Sequence, residues 1–558
     1  MPTHNNALTL GSPVFRDPAL AAMARAGDPV AAWTAALAKG PAEAARGVSG
    51  DFAIGLRDPF GHVFLAVDQF AIRTLCYCVM DGELRFADRA DALVGAQPEL
   101  DLQAIFDYLY FHVIPSPRTI FKGVHRVPPG HYVSYQAGRL SVEPYWVPEF
   151  KPPSGAASFP ALKAEFRSIL HDAVARQLDG GKPACFLSGG TDSSTVAGMI
   201  RQVTQQPAAC YSIGFEAEGY DEMAYARIAA RHFGAEHHEH YVTPDDLVRS
   251  IGDVAASYDQ PFGNSSALPA YLCAKAAHDD GVQKLLAGDG GDELFGGNSR
   301  YAKQRVFGWY RALPAGLRSG LLEPVFERGP LGRAPLLRKG ASYIEQGKVP
   351  MPDRLQMYNL LRRLGAQTVL TPDFLGQVDQ HGPARQQREV WAQAQAADEI
   401  DRTLAFDWRY TLAESDLPKV CGTAQLAEVA VGFPFLDRAL LDFSMRLPPE
   451  YKLKGLKLRW FFKEALRDFL PEQIITKHKQ GFGLPFGVWT ARSEPLRKLA
   501  VDSLHSLATR GIVRPEFITE LIERYLPAHP GYYGELVWIL MMLEQWMQRH
   551  TPDFKVRA

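Results

Sequence analysis

The sequence predicts an α/β protein in two parts, a strand- and turn-rich N-terminal region followed by a parallel-sheet domain that ends in helices. Three observations carry this. Residues 48–150 read as short strands joined by hairpin turns. Lys151-Pro152-Pro153-Ser154-Gly155-Ala156-Ala157-Ser158 has the composition of a linker. Beyond it, short apolar strands alternate with helical stretches, the pattern of βαβ units. The expected division is a first domain over 1–150, a linker over 151–160 and a second domain over 161–558.

The elements follow in order. Val48 to Asp58 partly alternates, breaks at Pro59-Phe60-Gly61, and resumes from His62 to Asp68, a hairpin. Asp81-Gly82 between apolar runs marks a second hairpin. Gly130 to Tyr135 and Gly138 to Val142 predict a third. Residues 159–179 read as an amphipathic helix. Ala184-Cys185-Phe186-Leu187 is a short buried strand, a helix opens around Thr195 to Ile200, and Ala208 to Phe215 is the next strand. The remainder is mostly helical in pattern. Tyr532 to Trp538 and the apolar helix after it read as core packing rather than a partner surface. No internal repeat or low-complexity tract is present.

Composition limits the partners. Hydrophobic residues make up 46% and charged residues 22% of the 558, and the formal net charge is −2. No global field draws such a chain to nucleic acid or to a membrane surface. No run of 18 apolar residues occurs, and Met1 to Asn6 has no signal-peptide pattern. A cytoplasmic location is expected. The six cysteines are scattered, and Cys76-Tyr77-Cys78 is too tightly spaced for the usual zinc pairs. They read as buried free thiols.

The chemistry sits in Ser188-Gly189-Gly190-Thr191-Asp192-Ser193-Ser194, between a buried strand and a helix. The glycines let backbone N–H groups turn toward an anion, and the helix N-terminus adds its positive dipole end. The hydroxyls can donate to phosphate oxygens, and Asp192 can hold Mg²⁺ through a hard oxygen. No lysine follows the second glycine, so this is not the G-x-x-x-x-G-K-[ST] loop. A second glycine-rich, acidic loop, Gly288-Asp289-Gly290-Gly291-Asp292-Glu293, follows another strand. Open α/β sheets place ligands at such strand ends.

The first loop resembles that of ATP pyrophosphatases. With the second, it is similar to the synthetase domain of the asparagine synthetase family, which includes β-lactam and carbapenam synthetases and lasso-peptide macrolactam cyclases. Further collinear matches are Tyr258 to Pro269, Phe433-Pro434-Phe435-Leu436-Asp437, and Lys477-His478-Lys479-Gln480-Gly481-Phe482-Gly483-Leu484-Pro485. The resemblance implies an N-terminal Ntn-hydrolase-like αββα remnant and a C-terminal ATP-pyrophosphatase domain of the adenine nucleotide alpha hydrolase type. It implies ATP and Mg²⁺ as cofactors. Leu187, Ser188, Gly189, Gly190, Asp192, Ser193 and Ser194 match the ATP and pyrophosphate site, Ile213 and Gly214 the adenine site, and Gly288 and Asp289 the nucleotide and substrate pocket. Lys479 matches the lysine that offsets charge on pyrophosphate and the reacting centre, and Asp192 with Asp416 matches a pair that holds Mg²⁺.

Two departures stand out. The family's glutaminase nucleophile, a cysteine exposed when the first Met is removed, is replaced by Pro2, and no cysteine precedes Cys76. What remains of that domain is Gly50-Asp51-Phe52-Ala53, Asp68 to Arg73, and Val127-Pro128-Pro129-Gly130. A degenerate amidotransferase domain without glutaminase activity is expected. On the acceptor side, the usual Glu and Arg before Pro-Phe-Leu-Asp are Ala430 and Gly432, and the usual Asp-Arg after Lys419-Val420 is Cys421-Gly422. Glu428 is the nearby carboxylate that could serve as a catalytic group instead.

The resemblance therefore implies a carbon–nitrogen ligase that adenylates a small-molecule or peptide carboxylate and transfers it to an amine or ammonia. Lactam or macrolactam formation and metabolite amidation are the open forms. An asparagine synthetase fed by ammonia or an external glutaminase, and a non-catalytic relative, are the alternatives. Neither nucleic acid nor membrane is an expected partner; a homodimer or a partner glutaminase is left open.

Overall fold

The computed structural model describes residues 6–152, 158–318, 320, 323–324, 335–477 and 483–557. The first domain holds eight strands of consequence: β1 (Ala7–Gly11), β2 (Phe52–Arg57), β3 (Val63–Val67), β4 (Cys76–Met80), β5 (Glu83–Ala87), β6 (His125–Arg126), β7 (His131–Gln136) and β8 (Arg139–Pro144). They form an antiparallel sheet in the order β1-β2-β3-β7-β8 and a smaller one in the order β5-β4-β6. All three expected hairpins are present. Two of them have two-residue turns, Asp81-Gly82 at φ 54° and 79° and Ala137-Gly138 at φ 50° and 78°. Positive φ at both positions twists the turn to match the strands.

These sheets make four layers. Helices Pro18–Arg25, Pro29–Leu37 and Pro41–Arg46 cover the outer face of the large sheet around the buried Trp33. Its inner face meets the small sheet through Leu65, Val67, Tyr77, Leu84, Phe86 and Val133. Cys76 and Cys78 point the other way, toward helix Leu102–Phe111. The order is thus α-β-β-α, as the resemblance implies.

The second domain is built on β9 (Ala184–Phe186), β10 (Ala209–Phe215), β11 (Glu236–Val242), β12 (Lys284–Leu286) and β13 (Ala430–Gly432). They are all parallel, in the order β11-β10-β9-β12-β13. Helices Phe159–Gln177, Thr191–Thr204 and Met223–Phe233 pack on one face, and Ala267–Asp279 on the other. The chain runs outward from β9 to β11, then returns to β12 on the opposite side. The crevice between β9 and β12 is the switch point where such sheets bind ligands.

The two domains share a core. Helix Pro530–His550 buries Trp538, Met541 and Trp546 in the cluster that also holds helix Leu102–Phe111, and Tyr108 Oη donates to the Ile539 carbonyl at 2.8 Å. That helix is therefore core, although Tyr532 at its start is exposed. The chain before the expected linker is pinned to the second domain, with Phe150 N bonded to Gln395 O at 2.9 Å; residues 153–157 of the linker lie outside the described residues. Among the described residues, no helix is long and apolar enough to cross a membrane. The six cysteines are free, five of them buried.

Candidate functional site

A cleft of about 980 Å³ opens at the C-terminal ends of β9 and β12. Its floor is the Ser188–Ser194 loop. Gly189 holds a left-handed φ of 70°, and a Cβ there would lie 2.3 Å from Ala226 N, so only glycine fits. Ser188 and Ser193 hydroxyls meet at 3.1 Å, and Ser193 Oγ accepts from Ser188 N at 3.1 Å. Helix Thr191–Thr204 starts with Gly190 as its N-cap and has no side-chain cap. Its first N–H groups are left for an external acceptor. The second loop lies directly against the first: a Cβ on Gly288 would come 2.8 Å from Ser193 N.

Carboxylates and cations meet over this floor. Arg459, itself buried and at φ 53°, donates through Nη1 to Thr191 Oγ1 at 2.8 Å, Asp192 Oδ2 at 2.7 Å and Asp292 Oδ1 at 2.8 Å, and through Nη2 to Asp192 Oδ1. Lys419 Nζ lies 3.0 Å from Asp416 Oδ1 and 3.8 Å from Asp289 Oδ1. Burial pushes the Asp289 carboxyl up to about 6, with Asp416 and Asp192 adding to the rise against the pull of Lys419. Lys463 has no ion-pair partner among the described residues, and burial together with Arg459 pushes its ammonium down. Lys477 Nζ lies 2.9 Å from Glu222 Oε1 and donates to the Gly189 carbonyl at 3.4 Å. One end of the cleft is apolar, lined by Phe186, Ile213, Pro269, Ala270 and Cys273.

The structure brings Leu187, Ser188, Gly190, Asp192, Ser193, Ile213, Gly288, Asp289 and Asp416 to this one cleft. Other expected residues stand elsewhere. Gly189 and Ser194 are buried beneath the loop and shape it rather than line it. Gly214 faces the Tyr241 ring, which a Cβ would meet at 2.6 Å, so it is a packing residue. Glu428 lies outside the cleft, on a neighbouring cavity between the domains. Its left-handed φ of 58° turns the chain before β13. Lys479 lies outside the described residues. Arg459, Lys463 and Lys477 carry the charge of the basic wall and were not among the expected residues. Lys477 falls within a matched motif; nothing in the local pattern around Arg459 marks it.

Does the site suit ATP and Mg²⁺? An uncapped helix N-terminus, a lysine beside Arg459 with no ion-pair partner among the described residues, and a cleft of nucleotide size fit a polyphosphate. Among the described residues no three side chains form a metal cage. Mg²⁺ needs none, since it takes one or two carboxylates and completes its shell with phosphate oxygens and water. Asp192 and Asp416 suit that role because each now shares its charge with a cation that could shift to phosphate.

The comparisons agree with this geometry. A family model described as asparagine synthase matches residues 165–548, and one described as glutamine amidotransferase domain matches residues 31–146. An asparagine synthetase (glutamine-hydrolyzing) of Bacillus subtilis is 25% identical over 528 residues, covering 92% of this chain and 80% of that protein. A protein of Penicillium rubens named amidase chyE is 26% identical over 502 residues, covering 79% and 70%. A putative asparagine synthetase of Methanocaldococcus jannaschii is 30% identical over 268 residues, 46% and 51%. With the two loops at the switch point of a parallel sheet and an αββα domain ahead of it, the chain belongs to the asparagine synthase family, with an N-terminal glutamine amidotransferase domain.

Proposed function

We propose that this protein is an ATP-dependent amide-forming ligase that adenylates a substrate carboxylate, releases pyrophosphate, and passes the acyl group to an amine with loss of AMP. The observation that carries the reading is the facing of the uncapped Ser188–Ser194 loop by the basic wall of Arg459, Lys463 and Lys477. Such a site attracts the β- and γ-phosphates and offsets the charge that grows on them as they leave. Mg²⁺, when bound, would supply Lewis-acid polarisation of the phosphate oxygens.

The residues divide the work. Loop amides and Ser188 and Ser193 hydroxyls hold the departing phosphates. The apolar end of the cleft takes the adenine ring. Asp289, with its carboxyl near 6, is ionised at neutral pH and basic enough to take a proton from the attacking amine. Lys419 holds it in place. Much of the rate gain comes from holding carboxylate, phosphate and amine together, which supplies several kcal/mol of the barrier.

The N-terminal domain is a scaffold in this scheme. Its cysteines, Cys76 and Cys78, are buried and burial pushes both thiols up, away from the thiolate that a nucleophile requires. Chromatography of the nucleotide products with a turning-over carboxylate and amine tests the proposal. AMP and pyrophosphate in equal amounts support it; ADP and phosphate refute it.

A further inference from the structure

Glu399 to Leu426 is one continuous helix whose middle, Trp408–Asp416, is a π-helix. Leu417 N donates to the Leu412 carbonyl, five residues back rather than four. Pro418 gives the reason. It has no N–H for the Glu414 carbonyl, and in an α-helix its ring would strike that carbonyl. A wider turn relieves both. Such turns are rare and recur at functional sites, and this one lies between two spaces. Thr411 and Asp416 line the ATP cleft, whereas Glu414 lines the separate cavity between the domains.

The first domain grips this segment at two points. Trp408 packs against Phe70, Trp146 and Phe150, with ring centroids 6.1, 6.3 and 5.3 Å away. Its Nε1 donates to the Glu293 carbonyl of the acidic loop at 2.9 Å. Glu414 is only 4% exposed. Its Oε1 accepts from Ser116 N at 3.1 Å and from Ser116 Oγ at 2.7 Å, and Arg409 Nη1 lies 2.8 Å from the same oxygen. The Ser116 carbonyl in turn accepts from Arg409 Nη2 at 2.6 Å and from Gln386 Nε2 at 3.0 Å. The N–H, hydroxyl and carbonyl of Ser116 are thus all bonded to the second domain. A buried carboxylate is costly to leave unpaired, so these bonds hold Glu414 in one place.

The position matters because of the angle. An α-helix turns about 100° per residue, so one residue more or fewer in the wide turn swings the side chains that follow by about that much. Asp416 lies two residues after Glu414 and now sits 3.0 Å from Lys419 Nζ. A swing of that size takes it out of the cleft and away from Lys419. Pro418 makes the turn widen, but it does not set the direction in which the chain leaves it. The grip on Glu414 does.

Resting on the ligase reading above, we propose that Glu414, held by Ser116 of the first domain, is a positioning residue that sets Asp416 in the ATP cleft. The first domain is then part of the frame of the ligase site, a role that needs no glutaminase activity.

The test uses the full-length protein and a carboxylate that supports ATP–pyrophosphate exchange. Glu414→Gln keeps the shape of the side chain and removes its charge. Ser116→Ala removes one bond from the side of the first domain and leaves the ion pair with Arg409, so it stands in if the first variant fails to fold. The kcat of exchange should fall by about 10-fold or more, the scale on which a misplaced group slows a reaction, with KM for ATP within about 2-fold because the Ser188–Ser194 loop is untouched. In an Asp416→Asn background the same substitution should cost less than about 2-fold more, since its effect runs through Asp416. Mn²⁺ affinity in the presence of ATP, read by electron paramagnetic resonance without turnover, should fall by about 10-fold or more. Unchanged exchange, unchanged Mn²⁺ affinity, a loss carried by KM for ATP, or losses that multiply in the double variant overturn the inference. A wild type without exchange for any carboxylate refutes the ligase reading instead, and the Mn²⁺ measurement still decides the placement of Asp416.

Discussion

Replacing Asp289 by Asn separates stability from chemistry. Burial, with Asp416 and Asp192 beside it, lifts its carboxyl from 3.8 to about 6. The folded protein therefore binds this proton more tightly than the unfolded chain does. Stability from this group is fully present below pH 3.8 and is lost as pH rises through about 6. At pH 8 the ionised carboxylate costs the fold about 3 kcal/mol, at about 1.4 kcal/mol per unit, and at pH 5 about half of that. Asparagine removes the cost. Over a domain of roughly 400 residues the unfolding entropy is about 0.8 kcal/mol/K, so Tm should rise by about 3–4 °C at pH 8 and by about half as much at pH 5. Differential scanning calorimetry at the two pH values, without nucleotide, reads this. The same variant should keep ATP–pyrophosphate exchange while amide formation falls by about 10²–10⁴-fold, the usual worth of a positioned base. A gain that is the same at both pH values, or a lower Tm at pH 8, would refute the electrostatic account of Asp289.

Further predictions concern the rest of the cleft. Gly189→Ala places a methyl group against Ala226 N in a left-handed backbone and should cost about 2–4 kcal/mol, read as a fall in Tm with loss of ATP binding. Arg459→Met strips Asp192 and Asp292 of a shared partner; a loss of about 3–5 kcal/mol is expected, checked by calorimetry, and high Mg²⁺ should recover part of it. Lys463→Ala removes a cation that burial and Arg459 already disfavour, so the apo protein should be no less stable while Kd for pyrophosphate rises at least 10-fold by titration calorimetry. Incubation with glutamine should release no glutamate above a no-enzyme control.

Much of this was legible in the sequence because local chemistry decides it. Asp81-Gly82 and Ala137-Gly138 sit at turns that need positive φ, and the short apolar run at Ala184–Phe186, bounded by glycine-rich turns, reads as a buried strand and is one. A glycine-rich loop after such a strand has one place to be, at the sheet's C-terminal edge. Arg459 was hidden for the opposite reason. Its partners Thr191, Asp192 and Asp292 are far away in sequence, and only the folded chain brings them together. Glu428 read as a carboxylate beside the acceptor, but its direction depends on the left-handed turn that ends helix Leu417–Leu426, where Val429 N donates to the Ala424 carbonyl at 2.9 Å. Gly214 and Ser194 matched a motif by position, yet their side-chain positions point into packed interior.

The central claim is that the Ser188–Ser194 cleft adenylates a carboxylate. ATP–pyrophosphate exchange over a panel of carboxylates, with no amine present, measures that step alone. The account predicts exchange that depends on one class of acid other than aspartate and disappears in Asp192→Ala. Exchange with aspartate alone would make the chain an asparagine synthetase fed by ammonia, and no exchange with any acid, together with no binding of ATP, would contradict the claim.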